Sequence, residues 1–276
     1  MNKLSFTVLL ATIAIASSAQ SQSRNNGDTA GRKTSKDDKK EMRRQKINTL
    51  IKQSEDGVLV YRKQSIFGLQ GRTNGYGVFY EYGKMKSNRK TTTYQLDFTE
   101  IKHQKEEKTP TGGGLVFGNP FVYGKINNFY QTTLGLGQQY ILGQKGNKNG
   151  VAVSAIFNTG LALGLLRPYF IEVQDPATNK SKTIKYSKAD SLLFLGPSII
   201  GGAGFGKGWN EIKIKPGAFV KTAMRFDYGR FNDVVSCIEA GISIDFYGSK
   251  IPIMVDQKQN QLFFQAYLAI LFGRRK

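Results

Sequence analysis

Cysteine, histidine and tryptophan each occur once in this sequence of 276 residues. The single Cys237 excludes an internal disulfide bond. The glycine clusters Gly112–Gly114 and Gly201–Gly204 lack the Lys-Ser/Thr pair of a phosphate-binding loop, and no G-x-S-x-G motif occurs. The sequence therefore carries no catalytic, metal-binding or cofactor-binding signature, and we predict a protein without a cofactor or enzymatic activity.

Long apolar runs are also scarce, and the longest stands at the N-terminus. Lys3 precedes an apolar run from Leu4 to Ala16, and Ser17-Ser18-Ala19 then places small residues before a cleavage site. A membrane anchor is the alternative, but about 13 apolar residues fall short of the roughly 20 that a helix needs to cross ~30 Å of hydrocarbon. We predict a signal peptide over residues 1–19, cleaved after Ala19.

Acidic residues are half as numerous as basic ones: 20 Asp and Glu stand against 40 Lys and Arg, which gives a formal charge of +20. Such a charge often indicates nucleic-acid binding. Export argues against a nucleic-acid partner, because the anionic groups outside the cytoplasm are the phosphates and acidic sugars of the outer leaflet. We expect these bases either to contact outer-membrane lipid and lipopolysaccharide or only to keep the loops solvated.

Residues 20–56 contain little to bury. Their Ser, Asn, Gly, Lys, Arg and Asp content predicts a disordered, basic N-terminal leader, which we place in the periplasm. Its last part, residues 39–51, has apolar residues partly on one side of a helix. This part is either a short helix that docks on the barrel or a partner, or a frayed charged segment.

From Gly57 the hydrophobic period changes to two, with segments of about ten residues separated by turn residues. In Ser236–Phe246, apolar side chains at even positions alternate with Glu239, Gly241, Ser243 and Asp245. A soluble sandwich shows the same alternation, but the signal peptide, glycine content and strand-end aromatics together favour a membrane barrel. We predict an all-β, antiparallel transmembrane β-barrel in the outer membrane over residues 57–276.

The number of strands follows from counting such segments. Nine are indicated, and a tenth lies at 57–64 or 116–126; the nine are 65–73, 75–86, 91–104, 129–143, 150–168, 191–206, 212–228, 234–247 and 261–272. Because bacterial single-chain barrels have an even number of strands, we predict ten, with eight as the alternative. The last segment ends on an aromatic, Phe272, as in the strand that barrel assembly machinery recognises, although four residues follow it.

Three stretches resemble a group of outer-membrane β-barrels from Bacteroidota that have no established activity: Tyr94–Glu106, Tyr123–Tyr130 and Gly160–Pro168. The resemblance spans roughly residues 45 to 272. It implies the barrel fold and the outer-membrane compartment, and it brings no catalytic residues.

Charged residues on the inner faces of the predicted strands are the candidate functional site. They are Glu81, Asp97, Lys221, Arg225, Asp227, Glu239 and Asp245. In a barrel of eight to ten strands they have little room, so we predict a lumen charge network that plugs the interior. If these acids instead line water, they form a small pore.

The sequence favours the first of three possible functions, and the other two are alternatives to it. The first is a structural or adaptor component that uses its basic leader and the long loop 105–125 to contact a periplasmic or outer-membrane protein partner. The second is a narrow porin-like channel for small solutes. The third is a lipid A or phospholipid hydrolase with His103 as general base, although this histidine stands among charged residues at a strand end, where a solvated side chain is expected.

Overall fold

The computed structural model describes residues 40–45, 48, 61–109, 119–146, 149–176, 179–229 and 233–276. Residues 40–45 and 48 are helical and fall in the segment where the sequence predicts a short helix. The predicted signal peptide and the rest of the leader lie outside the described residues. Among the helices that the structure describes, none is both long and apolar enough to cross a bilayer.

Most of the described chain is β-structure. The strands are β1 (Lys63–Arg72), β2 (Gly75–Ser87), β3 (Lys90–Ile101), β4 (Lys108–Thr109), β5 (Phe121–Val122), β6 (Asn127–Gly143), β7 (Ala152–Pro168), β8 (Phe170–Gln174), β9 (Ser181–Lys185), β10 (Ile199–Gly202), β11 (Lys213–Asp227), β12 (Val234–Ile251) and β13 (Asn260–Arg275). Two short helices, Ser191–Phe194 and Trp209–Glu211, lie between β9 and β11.

Eight of these strands close into an antiparallel barrel in the order β1-β13-β12-β11-β7-β6-β3-β2. The ring closes where β1 pairs with β13, from Gln64 opposite Arg275 to Arg72 opposite Tyr267. The predicted all-β antiparallel barrel is confirmed, and its strand count is eight, the alternative to the preferred ten.

Exposed apolar and buried polar side chains alternate along the barrel strands, as the sequence predicts. In β12, Ile238, Ile242 and Ile244 are about 40% exposed while Glu239 and Asp245 are buried. Large apolar side chains on the other barrel strands are likewise exposed on the outside. A closed ring leaves no unpaired strand edge, and an apolar outer wall is the surface that hydrocarbon solvates. The barrel therefore has the architecture of a membrane-spanning protein.

Glycines inside the barrel make room for large side chains that cross the lumen. A Cβ atom at Gly68 would lie 2.3 Å from the Phe79 ring, and one at Gly135 would lie 2.8 Å from the Phe219 ring. At Gly164 the corresponding atom would meet Phe129 at 2.8 Å. This pairing of glycine with aromatic residues fills the interior of a barrel this narrow.

The two ends of the barrel differ in their connections. Tyr61 and Lys276 lie at one end, which we call the terminal end, together with the connections 88–89, 144–151 and 228–233. The opposite end, which we call the loop end, has the two-residue turn 73–74 and the longer connections 102–126, 169–212 and 252–259. The two longest connections, 102–126 and 169–212, are thus both at the end opposite Tyr61 and Lys276.

The predicted barrel strand at 191–206 is wrong. This segment belongs to the β7–β11 connection, where β10-β8-β9 form a separate sheet. Ile171, Val173, Ile184 and Phe194 are buried in a small core of this connection, with Leu193, Leu195 and Ile199 packed against it. The apolar residues that suggested a wall strand instead fill this second core, which explains one of the two surplus strands.

The other surplus strand, placed at 57–64 or 116–126, is also absent from the ring. Residues 57–60 lie outside the described chain, and Lys63 already begins β1. In the second range, the described residues contain only the short strand Phe121–Val122, which pairs with Lys108–Thr109. This hairpin belongs to the loop end.

The described parts of the loop 105–125 dock on the chain itself. Tyr123 donates its hydroxyl to the Leu195 carbonyl at 2.7 Å, and the Val122 amide donates to the Tyr169 hydroxyl at 3.1 Å. The Gly202 amide donates to the Asn119 carbonyl at 3.0 Å. The loop and the β7–β11 connection therefore form one folded layer over the loop end.

Candidate functional site

Arg225 lies at the centre of the predicted lumen charge network. Its Nη2 atom is 2.7 Å from Glu81 Oε2 and 2.8 Å from Glu239 Oε2. Its Nη1 atom donates to Glu81 Oε1 at 2.9 Å, and its Nε atom donates to Glu239 Oε2 at 2.9 Å. The guanidinium group thus bridges Glu239 on the adjacent strand β12 and Glu81 on β2 across the ring, in the forked geometry that suits arginine.

Lys221 joins the same group. Its Nζ atom is 3.7 Å from Glu239 Oε1, and it lies 4.6 Å and 4.4 Å from the ring centroids of Phe79 and Tyr267. Tyr267 in turn donates its hydroxyl to Glu239 Oε1 at 2.6 Å. A carboxylate and two aromatic faces therefore compensate the buried ammonium.

Asp245 and Asp227 are paired with bases that the sequence did not indicate. Asp245 is 3.7 Å from Arg72 and accepts from Gln265 at 2.6 Å. Asp227 is 2.5 Å from Arg275 and 3.4 Å from Lys145. Arg72 and Arg275 were not predicted, because a charged residue at a strand end is usually assigned to a turn. Lys145 was not predicted because it lies in a loop.

Asp97 is held by neutral partners. Gln95 Nε2 donates to Asp97 Oδ1 at 2.8 Å and Thr133 Oγ1 donates to Oδ2 at 3.1 Å. Asn158 connects this group to the next strands through hydrogen bonds with Gln95 and Thr93. Asp97 therefore belongs to an amide and hydroxyl layer of the interior and forms no ion pair with a described residue.

All seven predicted residues point into the same interior and none is more than 3% exposed. Apolar clusters occupy the lumen beside them, including Phe79 and Ile66 in one and Phe129, Phe219 and Tyr247 in another. Buried charges are tolerated when they are paired and hydrogen-bonded. The arrangement can therefore hold the strands together, and it leaves these charges without access to solvent.

His103 lies outside this network, half-buried at the loop end. Its Nδ1 atom accepts the Lys105 amide at 3.2 Å, and its own amide donates to Glu106 at 3.0 Å. The described lining of the adjoining 170 Å³ cavity includes Thr73 and Asn74 but no serine or cysteine. Within the described chain, no group of three or more histidine, cysteine or acidic residues is arranged to hold a metal ion.

The terminal end carries a basic rim. Its exposed bases are Arg62, Lys63, Lys84, Lys86, Arg89, Arg274 and Lys276. Against them, the described residues of this end place one exposed acid, Asp233. Residues 20–56, which precede Tyr61 in the sequence, are also rich in Lys and Arg.

Fold and interior together define a small antiparallel β-barrel with an apolar outer wall and a filled, ion-paired lumen. The sequence matches no protein-family model, and no curated protein matches it. The solved structures to which the chain is similar include outer-membrane β-barrels. The N-terminal β-barrel domain of Pseudomonas aeruginosa OprF matches with 10% identity and a TM-score of 0.35, over 78% of this chain and 99% of that one.

Two further structures match to a similar degree. Ail, the attachment invasion locus protein of Yersinia pestis, shares 9% identity at a TM-score of 0.38, over 79% of this chain and 100% of its own. Neisserial surface protein A shares 9% identity at a TM-score of 0.38, over 78% and 96% of the two chains.

Proposed function

We propose that this protein is an integral outer-membrane β-barrel that serves as a structural or adaptor component, without catalytic activity and without a conducting lumen. The observation that carries the proposal is the filled interior, where Arg225 bridges Glu81 and Glu239 and aromatic side chains occupy the remaining space. A pore needs water along its axis, whereas these groups contact one another. The setting of His103 likewise favours a structural role over hydrolysis.

The direction of insertion follows from the two ends. Outer-membrane barrels have short periplasmic turns and longer extracellular loops, and here the two longest connections share the end opposite Tyr61 and Lys276. We place the terminal end in the periplasm and the loop end at the cell surface. The proposal also includes a signal peptide cleaved after Ala19, insertion by barrel assembly machinery and an origin in Bacteroidota.

The terminal end supplies the adaptor surface. Its rim of exposed bases, with the basic leader 20–56, suits a periplasmic partner of net negative charge. Because such an interaction is screened by salt, its strength should fall as ionic strength rises.

Solute efflux from vesicles tests the filled lumen. Vesicles that contain the refolded protein and a small dye should retain the dye as well as protein-free vesicles do. A large porin reconstituted in the same way provides the positive control. Dye release that increases with the amount of folded barrel would contradict the proposal and favour the channel.

Site-specific photocrosslinking in cells tests the adaptor surface. A crosslinking residue at Asn88, in the periplasmic turn, should give a discrete adduct that is lost when Lys84, Lys86 and Arg89 are changed to Glu. A crosslinker at Phe264 on the outer wall is the matched control. Absence of any adduct at Asn88, with the barrel folded in the membrane, would contradict the adaptor function.

A further inference from the structure

A groove and a pocket adjoin on the outside of the barrel at the loop end. The groove, which we call the outer groove, has a volume of about 620 Å³ and lies on the apolar wall between Leu69, Val78, Phe98, Leu268 and Ile270. The pocket, which we call the rim pocket, has a volume of about 410 Å³ and lies above it, among residues of the loop layer. Tyr76, Glu100 and Tyr130 line both, so the two spaces lie next to each other.

Arg167 is the central base of the rim pocket. It stands on the outward face of β7, in line with the exposed Leu161 and Leu163, yet it is only 5% exposed. Its guanidinium group lies 4.8 Å from the Trp209 ring and 4.5 Å from the Phe205 ring, and Nη1 donates to the Phe205 carbonyl at 2.9 Å. The segment after β10 therefore packs against the outer wall and encloses the Arg167 guanidinium group there.

Two buried donors in this pocket have no hydrogen-bond partner among the described residues. They are Arg167 Nε and Asn128 Nδ2. Asn128 is 6% exposed and Arg167 forms no ion pair with a described carboxylate. A buried donor left unpaired costs about 1–3 kcal/mol, so two donors that line one pocket indicate an acceptor ligand.

The charge of the pocket has the sign that such a ligand needs. Lys102, Lys108, Lys125 and Arg167 line it, against Glu100 and Glu106. Both acids are engaged: Glu106 is 2.6 Å from Lys125, and Glu100 accepts the Tyr76 hydroxyl at 2.6 Å. Burial also raises the pKa of the Tyr169 hydroxyl, so this residue adds no negative charge to the pocket at neutral pH.

We propose that the outer groove and the rim pocket together bind one phosphorylated, acylated glycolipid of the outer leaflet, with a phosphate in the pocket and an acyl chain along the groove. The proposal rests on the proposed function, because the loop end must face the outer leaflet. Arg167 Nε and Asn128 Nδ2 then donate to phosphate oxygens, and charge-assisted hydrogen bonds of this kind are among the strong ones. The apolar groove solvates the chain next to the headgroup that these donors hold.

The single tryptophan is a built-in reporter of this site. Trp209 stacks on Tyr130 with ring centroids 5.9 Å apart, and Tyr130 lines both spaces. Titration of the folded barrel in detergent with diphosphorylated lipid A should shift Trp209 emission and saturate. Dephosphorylated lipid A should bind at least tenfold more weakly, because the donors lose their charged acceptor.

Two substitutions separate the pocket from the groove. Arg167→Met keeps an alkyl stem between the rings and should weaken lipid A binding at least tenfold, whereas Lys182→Met, an exposed base at the same end, should leave it unchanged. Gly71→Phe should weaken binding because a side chain at Gly71 enters open space in the groove wall. Thr222→Phe on the opposite outer wall is its matched control.

The remaining outcomes decide against the proposal in distinguishable ways. Equal affinity for phosphatidylglycerol would contradict glycolipid recognition, and full competition by inorganic phosphate would indicate a site for the free anion. No saturable emission change in a protein that still shows heat-modifiable migration on gels would overturn the lipid site and leave the proposed function intact. A protein that lacks heat-modifiable migration would overturn the proposed function, and the lipid site with it.

Discussion

Arg167 differs from the other buried cations of the described chain, which include Lys125 with its partner Glu106 in the loop layer. Inside the barrel, Arg72, Lys145, Lys221, Arg225 and Arg275 each lie within 3.7 Å of a carboxylate oxygen. Outside the wall, Arg167 is equally withdrawn from solvent, but its neighbours are aromatic rings and one carbonyl. In the lumen, carboxylates compensate the buried positive charges. At Arg167 no described carboxylate does so, and a ligand can supply the negative charge.

This difference separates stability from recognition. A buried pair whose partners come from distant strands holds those strands together, and removal of one partner leaves the other charge uncompensated. When a buried cation has no acid beside it, its removal lowers the free energy of unfolding only slightly, because no carboxylate is left buried without a base. The two settings therefore predict opposite consequences for similar substitutions.

The largest effect is expected at Arg225. Arg225→Met removes the ion-pair partner of Glu81 and the nearer of the two bases beside Glu239. It should lower the free energy of unfolding by about 3–5 kcal/mol, chiefly because the Glu81 carboxylate is left buried without a base. Urea unfolding in lipid vesicles measures this change. The quadruple variant Glu81→Gln, Lys221→Met, Arg225→Met, Glu239→Gln removes all four charges of the group and should recover most of the loss. A quadruple variant as unstable as the single one would contradict this explanation of the loss.

An intermediate effect is expected at Lys221. Lys221→Met keeps the contacts with Phe79 and Tyr267 but removes the charge near Glu239, which retains Arg225 and the Tyr267 hydroxyl. We expect a loss of about 1–2 kcal/mol in the same assay. A loss as large as that of Arg225→Met would show that Lys221, rather than Arg225, is the principal partner of Glu239.

The smallest effect on stability is expected at Arg167. No described carboxylate depends on Arg167, and the loss of its ring contacts and its hydrogen bond is offset by removal of the buried, unpaired Nε donor. Arg167→Met should therefore change the free energy of unfolding by less than about 1 kcal/mol. Unfolding is measured without added glycolipid, so that ligand binding does not contribute. A loss above 3 kcal/mol would mean that Arg167 serves the fold in the way Arg225 does, and the contrast between the two settings would fail.

The barrel wall could be predicted because a period of two assigns each residue to one face. Lys221, Arg225 and Asp227 fall on the same face of β11 from their spacing alone. Their partners could not be predicted, since Arg225 meets Glu81 across 144 residues only after the ring has closed. The periodicity also could not distinguish a wall strand from residues 191–206, whose apolar side chains pack into the loop-end core.

The rim pocket was missed for a related reason. Arg167 shares the face of Leu161 and Leu163, so a charge on a predicted lipid-facing row was a visible signal. Because Arg167 stands next to Pro168, it was assigned to the end of the strand and was not treated as a candidate binding residue. The segment that covers it, from Phe205 to Trp209, reaches the wall only through the fold of the β7–β11 connection.

Measuring Arg225→Met and Arg167→Met side by side, each by urea unfolding and by the Trp209 titration with lipid A, tests the central contrast most directly. We predict that Arg225→Met loses stability while its folded fraction binds lipid A within about twofold of the unsubstituted protein, a difference well under 1.4 kcal/mol. We predict that Arg167→Met keeps its stability and binds lipid A at least tenfold more weakly. If both variants lost stability and affinity together, or if neither changed in either assay, the distinction between a structural interior and a ligand-binding rim would be contradicted.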